Sequence, residues 1–537
     1  TKAVLRILIQ SLAEKPIRAD ELLCALLKQS KWTEQLNAYG LADTALEWIT
    51  EELDIDYSSF IGAERPLLCL LATWTKRQNP QVLGAQYDCW VMPVCGASFQ
   101  NFIHFLMQHA DELEEEIEEA NEYFRKVQVY EPVETVPALF ENYIAQNLKD
   151  YKNIKLDGLT LWTESMREVG GFVASLSALD RMLAERVHYV FDDNRLDAVV
   201  KEYKEKLFCI DSGYRELCAL RAKLKYRFSF YPKADAEQVF EQVSRQYFNV
   251  IQNINSKFIR SFQAQNTGKL IPQTDILHTI PFRRDTVFLF ADGFRYEMAK
   301  EISLLWKDVS DYDVLALLPT ETEIGMNSYF ITDETVQLNE KNTFELMKDG
   351  KAVRQVMRWR KEKLEQILGQ PAEWFGDFCE MPEAHGPVLY FYNAADVIMH
   401  RFDDVLMMER AKKDLAKAIR YCLGRGYDVM LLADHGFLEI GGKIHHQDME
   451  LDLEKKKDRY AILPEGETAD RMYYISDLPT AGFLQTGSRH ICFINSVNTL
   501  RQAGRYTHGG ISLQEAVVPA MLFHAPQKEN EKGEPVL

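Results

Sequence analysis

Cysteine is scarce and irregularly spaced in this chain. There are nine in 537 residues, at Cys24, Cys69, Cys89, Cys95, Cys209, Cys218, Cys379, Cys422 and Cys492, and no C-x-x-C pair occurs. An odd, scattered set argues against a disulfide framework or a cysteine-built structural zinc, and fits buried thiols in a reducing cytoplasm. No apolar run reaches the roughly 18 residues that a membrane span needs. The opening Thr1–Gln10 has no charged leader followed by an apolar core and a small-residue cleavage site, so no signal peptide is expected. A start on Thr that runs straight into a helical pattern also fits a fragment of a longer protein. Gly-rich and Pro-rich linkers, internal repeats and low-complexity tracts are lacking, so nothing points to disorder. Positive charge is also short: 62 Lys and Arg stand against 81 Asp and Glu, a net charge of -19. Such a chain is no general nucleic-acid binder, because phosphate repels it. The local basic stretches, Arg358-Trp359-Arg360-Lys361 and Lys455-Lys456-Lys457, are of the kind that a solvated helix face carries.

The chain is 46% hydrophobic and 11% aromatic, enough for large cores. At roughly 100–200 residues per domain, three or four domains are expected. Residues 1 to about 270 read as almost entirely helical. Asp20 is a candidate N-cap before Leu22, Leu23, Leu26 and Leu27 on one face. Asp111–Glu122 reads as an acidic surface helix. Over 235–260, Val239, Val243, Tyr247, Val250, Ile254 and Phe258 recur at steps of three or four. We divide this half into a helical domain, 1–150, and a second helical or linker region, 151–275. It offers no nameable chemistry, and a scaffold or docking role is its default reading.

Near 270 the pattern changes. Asp285–Ala291 is a short apolar run suited to a central strand of a parallel sheet. Similar runs occur at Tyr312–Leu318, Val388–Tyr392, Tyr427–Ala433 and His490–Ile494, with helical patterns such as Glu297–Trp306 and Phe402–Leu423 between them. Strand alternating with helix predicts a doubly wound, mostly parallel α/β sheet over 276–537. Ligands bind beyond the carboxyl ends of such strands. Those ends lead here into Asp292-Gly293, Pro319-Thr320-Glu321-Thr322, Asn393 to Asp396 with His400, and Asp434-His435-Gly436, while His508 lies in a late loop. Each alone is weak, since Asp-Gly is a common turn and a threonine can cap a helix. Together, three carboxylates and three histidines suffice for two cations such as Zn or Mn. Two cations about 4 Å apart can clamp an in-line phosphoryl displacement, with the Thr322 hydroxyl as nucleophile.

This order of motifs resembles the alkaline-phosphatase superfamily, and most closely the PglZ domain of BREX phage-defence systems. Asp292-Gly-Phe-Arg295 and Pro319-Thr-x-Thr322 are also similar to nucleotide pyrophosphatase/phosphodiesterases. His508-Gly-Gly-Ile-Ser-Leu-Gln-Glu515 with Val518-Pro519 is PglZ-like specifically. The resemblance implies an alkaline-phosphatase-like fold and roles residue by residue. Asp292, Thr322, Asp434 and His435 match the ligands of one metal, with Thr322 rather than Thr320 the nucleophile. Asp396, His400 and His508 match those of the other. The ions implied are zinc first, with Mn or Mg as alternatives, and the reaction passes through a phospho-threonine that water hydrolyses. The substrate implied is a nucleotide or nucleic-acid phosphate. The partners implied are other BREX components, including a DNA methyltransferase. The phosphodiesterase relatives place an Asn three residues after the nucleophile; here that position is Gly325, and the nearest Asn is Asn327. A sulfatase is disfavoured for want of its C-x-P-x-R context.

Two insertions interrupt this domain, at about 333–387 and 440–477. The first holds Arg358–Lys361; the second holds His445, His446 and Lys455–Lys457. Insertions at a ligand edge form lids or substrate walls. The competing reading is a structural hub of a defence complex, with a vestigial or regulatory metal site.

Overall fold

The structure is a computed structural model that describes residues 17–28, 30–61, 65–78, 147–154, 164–227, 233–263, 269–440, 456–467, 472–474, 484–494, 497–501 and 503–526, with single positions elsewhere. His445, His446 and Lys455 lie outside the described residues, and Asp111–Glu122 is described only in part, with 115–117 helical. The chain forms two compact units: residues 1–177 with 223–241, and residues 178–222 with 242–537.

The first unit is helical in its described parts. Helix Ala19–Lys28 buries Leu22, Leu23, Leu26 and Leu27, the stripe expected from their spacing. Asp20 stands in its first turn rather than at its N-cap, because the helix begins one residue earlier; there it pairs with Arg18. Helix Lys233–Gln263 contributes to both units and buries Val239, Val243, Tyr247, Val250, Ile254 and Phe258. No helix among the described residues is long and apolar enough to cross a membrane.

The second unit holds a six-stranded sheet. Its strands are β1 (Thr286–Ala291), β2 (Val309–Asp311), β3 (Glu373–Trp374), β4 (Val388–Tyr392), β5 (Asp428–Ala433) and β6 (Ala520–Phe523), in the order β2-β6-β5-β1-β4-β3. β1 pairs in parallel with β5 and β4, and β3 with β4; β6 runs antiparallel to β5. All six residues of β1 and of β5 are buried, which is why they read as unbroken apolar runs. The helices of this part are α1 (Tyr296–Ser303), α2 (Thr322–Ser328), α3 (Met357–Leu368), α4 (Ala394–Arg401), α5 (Val405–Gly424) and α6 (Leu513–Ala516). Register positions the site: Ala291 pairs with Ala433 on one side and with Tyr392 on the other. The three strands therefore end level, and Asp292, Asn393 and Asp434 leave the sheet at one height.

Three expectations change. Tyr312–Leu318 is not one strand. β2 joins the sheet edge, while Val314–Leu315 pairs with Ile271–Pro272 in a separate ladder. The two break at Tyr312-Asp313, whose carbonyl and carboxylate both accept from Lys204 Nζ. Strand Arg489–Ile494 lies outside the main sheet, antiparallel to Tyr460–Pro464 and Met472–Tyr474. Its apolar run reflects a local core of Ala461, Leu463, Cys492, Ile494 and Leu500. The first insertion also returns to the main sheet, because β3 is its edge strand. The helical segments 178–222 and 242–263 lie in the same compact unit as the sheet.

Candidate metal centre

The turn after β1 needs a glycine. Gly293 has φ +61°, which a side chain rarely adopts, and a Cβ there would also meet Met399 Cε at 2.4 Å. Its N–H donates to Asp434 Oδ1 at 2.9 Å, tying the ends of β1 and β5 together. Asp434 and His435 are fully buried. His435 Nδ1 faces the Gly436 carbonyl at 2.9 Å, which leaves Nε2 directed into the site. Thr322, the first residue of α2, places Oγ1 3.2 Å from Asp292 Oδ1 and 3.1 Å from His435 Nε2. α2 approaches so closely that a Cβ on Gly325 would stand 2.4 Å from the Asp434 carbonyl oxygen. From the other side, buried Gln273 donates to the carbonyls of Ala433 and Asp434 and to the Tyr329 hydroxyl.

A second group adjoins the first. Asp396 and His400 lie one turn apart on α4, with Oδ1 and Nε2 3.2 Å apart. His508 turns Nδ1 to the Thr320 carbonyl at 3.0 Å and Nε2 to His400 Nε2 at 3.2 Å. Its ring stacks on that of His435. The loop that carries it is fixed by Glu515, whose carboxylate accepts from Arg459 Nε and Nη2, the Gly510 N–H and the Ser512 hydroxyl. Thr320 is part of the same fixture: its hydroxyl donates to the Gly510 carbonyl and accepts from the Gly509 N–H. All seven residues picked from the sequence thus meet at one place, and Thr320 is spent on loop packing.

The electrostatics are those of a site built for cations. Asp434 Oδ2 is buried with no hydrogen-bond partner. Burial, then the neighbouring Asp434 charge, pushes Asp292 up to about 8, and burial raises Asp434 to about 6. Burial lowers His435 to about 4, so its imidazole is neutral at pH 7. Burial opposes ionisation of Asp396, but the His400 hydrogen bond holds it below the usual carboxylate range; the same bond raises His400. Burial likewise opposes protonation of His508, yet Glu321 and the Thr320 carbonyl hold it above its ordinary value. A buried carboxylate with an orphaned oxygen, Asp434, beside the half-buried Asp292 is costly unless a positive charge joins them. Candidate ligand atoms of Asp292, Asp434 and His435 all lie within 4.8 Å of one another, as do those of Asp396, His435 and His508. Oxygen and imidazole donors at that spacing fit borderline divalent cations. His435 stands in both groups.

Reading the sequence missed the frame around this centre. Gln273 carries no motif signal of its own, and Glu515 closes the PglZ-like string without a role being assigned to it. Arg295 of the Asp-Gly-Phe-Arg string turns away from the site: it is fully buried against Asp211 and Glu297. Asp211 also accepts from the hydroxyls of Tyr203 and Tyr247 and from the Gln514 amide. Asn327 is buried, its amide turned back to the Glu323 carbonyl. A cavity of about 250 Å³ opens beside His400 and His508, with Glu321, Phe344, Lys457, Tyr460 and Arg501 in its wall.

Residues 280–523 match the family model of the BREX system PglZ alkaline phosphatase-like domain. The alkaline phosphatase-like protein PglZ of Bacillus cereus is 22% identical over 378 residues, which is 62% of this chain and 42% of that protein. The chain therefore spans less than half the length of the curated relative it matches. Among solved structures, human ectonucleotide pyrophosphatase/phosphodiesterase 5 is similar at 12% identity with a TM-score of 0.31, over 45% of this chain and 88% of that one. The motif-based resemblance to a PglZ domain is thus matched by a family model and by a curated relative.

Proposed function

We propose that this PglZ-type domain is a two-metal phosphoric ester hydrolase with Thr322 as its nucleophile. The observation that carries the reading is the Thr322 hydroxyl held between Asp292 and His435, beside the buried Asp434 carboxylate whose Oδ2 has no hydrogen-bond partner. Asp292, Asp434, His435 and Thr322 would hold one ion, and Asp396, His400 and His508 the other, zinc first among the candidates. Two bound cations would supply the positive charge that favours an ionised threonine oxygen and offsets charge gathering on the phosphoryl oxygens.

The chain's own part is set by the geometry. Thr322 Oγ1 would give up its proton to solvent, since Asp292 and His435 Nε2 are taken as metal ligands, and bond to phosphorus. The bond from phosphorus to the leaving alcohol breaks, and the alcohol departs with a proton. Water then cleaves the phospho-threonine and restores the hydroxyl. Thr320 is no rival, because its hydroxyl is already bonded on both sides. The cavity beside His400 gives room for a second ester arm, with aromatic walls in Phe344 and Tyr460 and cations in Lys457 and Arg501. That supports a diester of nucleotide or nucleic-acid type. The setting would be a BREX defence complex, with its DNA methyltransferase among the partners.

The test is hydrolysis of bis-p-nitrophenyl phosphate against p-nitrophenyl phosphate, using metal-stripped protein with Zn, Mn or Mg restored. We expect metal-restored diesterase activity that falls by about 100-fold or more in Thr322→Ala. No turnover from folded, metal-loaded protein would transfer the reading to an assembly role.

A further inference from the structure

The basic run on α3 does not share one environment. Arg358 pairs with Glu362 at 2.8 Å and Lys361 with Glu365 at 3.0 Å, each one turn on, as on an ordinary solvated helix face. Trp359 packs edge-on to Phe330. Arg360 turns inward instead. Its guanidinium lies over the ring of Phe391, 4.6 Å from the centroid, and its Nε is buried with no hydrogen-bond partner. Phe391 is the penultimate residue of β4 and pairs with Phe290 of β1, so the arginine rests beside the strand ends that carry the site. Burial lowers the Arg360 pKa, and the charges that oppose this are Asp292 and Asp434. No ion pair joins Arg360 to either among the described residues.

Arg360 is half-buried as a residue, but a buried guanidinium Nε with an unspent N–H is costly unless something accepts from it. The nearest carboxylates are the ones that cations would claim. An anion arriving from solvent fits beside them, and the planar fork of arginine matches phosphate oxygens. The other candidates for this task are disqualified by their positions. Gly325 has no side chain, and the Asn327 amide faces the Glu323 carbonyl.

We propose that Arg360 is the phosphoryl-oxygen clamp of this site, donating to a non-bridging oxygen of the ester held at Thr322. The assignment rests on the hydrolase reading for where phosphorus sits, but not on turnover. Phe391 is the platform that fixes the guanidinium plane.

The experiment is a calorimetric titration of inorganic phosphate into the full chain, both metal-stripped and zinc-loaded. It compares wild type, Arg360→Met, Arg360→Lys and Thr322→Ala, with bound metal measured in each. Arg360→Met should weaken phosphate binding about 10- to 100-fold, the range for loss of a charge-assisted hydrogen bond. Arg360→Lys should fall between, and both should keep wild-type metal content. Should Arg360→Met prove unfolded, Arg360→Lys carries the comparison. Unchanged phosphate affinity in the Arg360 variants, or no phosphate binding by wild type in either state, would overturn the proposal. So would loss of metal from Arg360→Met, since the arginine would then be acting through the metal ligands. Phosphate binding that depends on Arg360 in a protein without turnover would leave this assignment standing and remove only the nucleophile.

Discussion

His435 and His508 stack face to face, with ring centroids 4.3 Å apart and planes 11° from parallel. One comes directly after a buried central strand and the other from the late glycine loop, so the stack is where the two ligand groups join. His508→Gln should therefore remove one of two bound ions and leave the group around Asp292 loaded. Elemental analysis of the variant checks this: loss of both ions would show that the groups cannot be filled separately.

Metal uptake should depend on pH in a definite direction. Asp292 is pushed up to about 8 by burial and by Asp434, so the folded, metal-free protein holds a proton there that the unfolded chain releases near pH 4. Between those values the folded state binds more protons, so this group makes stability fall as pH rises. A cation at Asp292 displaces the proton. Affinity for zinc should climb from pH 5 to about 8 with proton release, and Asp292→Asn should flatten that slope. Calorimetry in buffers of different ionisation enthalpy would count the protons; no release at pH 6 would contradict the expectation.

Gly325→Ala tests how tightly α2 sits on β5. The new methyl would stand 2.4 Å from the Asp434 carbonyl oxygen, which is backbone and cannot swing aside. A loss of about 1–3 kcal/mol by urea melting is expected, the usual cost of overpacking, together with weaker metal retention. A variant as stable as wild type would mean that the helix can shift without consequence.

The pair Arg459–Glu515 is fully buried and holds the His508 loop. Removing one partner strands a charge, so Arg459→Leu should cost about 3–5 kcal/mol, and replacing both partners with apolar residues should recover only part of it, because the Gly510 N–H and Ser512 hydroxyl then lose their acceptor. Chemical denaturation of the single and double variants checks the ordering.

If the cavity beside His400 receives an ester arm, Lys457→Ala should raise KM severalfold for a nucleotide p-nitrophenyl ester and leave bis-p-nitrophenyl phosphate unaffected. Equal KM changes for both substrates would place Lys457 in general electrostatics rather than in recognition.

Much of this centre was legible because its ligands come after apolar runs whose burial on both faces leaves a plain mark, as with Thr286–Ala291 before Asp292 and Asp428–Ala433 before Asp434. Metal-type side chains at strand ends then stand out. The supports were not legible, because a residue such as Gln273 acts through backbone carbonyls far along the chain and needs no spacing rule. Arg489–Ile494 misled because a strand in a small side sheet with its own core has the same composition as one in the main sheet. The short β6 runs antiparallel behind α6, a helix of four residues that is too short to suggest a repeating unit. Arg360 was hidden in a charge run whose neighbours do face outward.

The carboxylate of Asp211, which receives Tyr203, Tyr247, Gln514 and Arg295, gives this protein two different edges along its sequence. The candidate ligands begin just after β1, at Asp292, but the electrostatic balance of the unit draws on residues as early as Tyr203 and Asp211. Arg215 adds to this by pairing with Glu297, Glu301 and Glu409. A fragment cut at 276 would retain every candidate ligand but lose Asp211 from Arg295 and Arg215 from Glu297, Glu301 and Glu409, leaving only the pairs Arg295–Glu297 and Lys412 with Glu301 and Glu409. Heredity faces the same constraint as the bench: a recombination event that moved only the sheet and its candidate ligands to a new host would leave behind the Asp211 and Arg215 pairs that its scaffold uses. The segment that travels intact is the longer one.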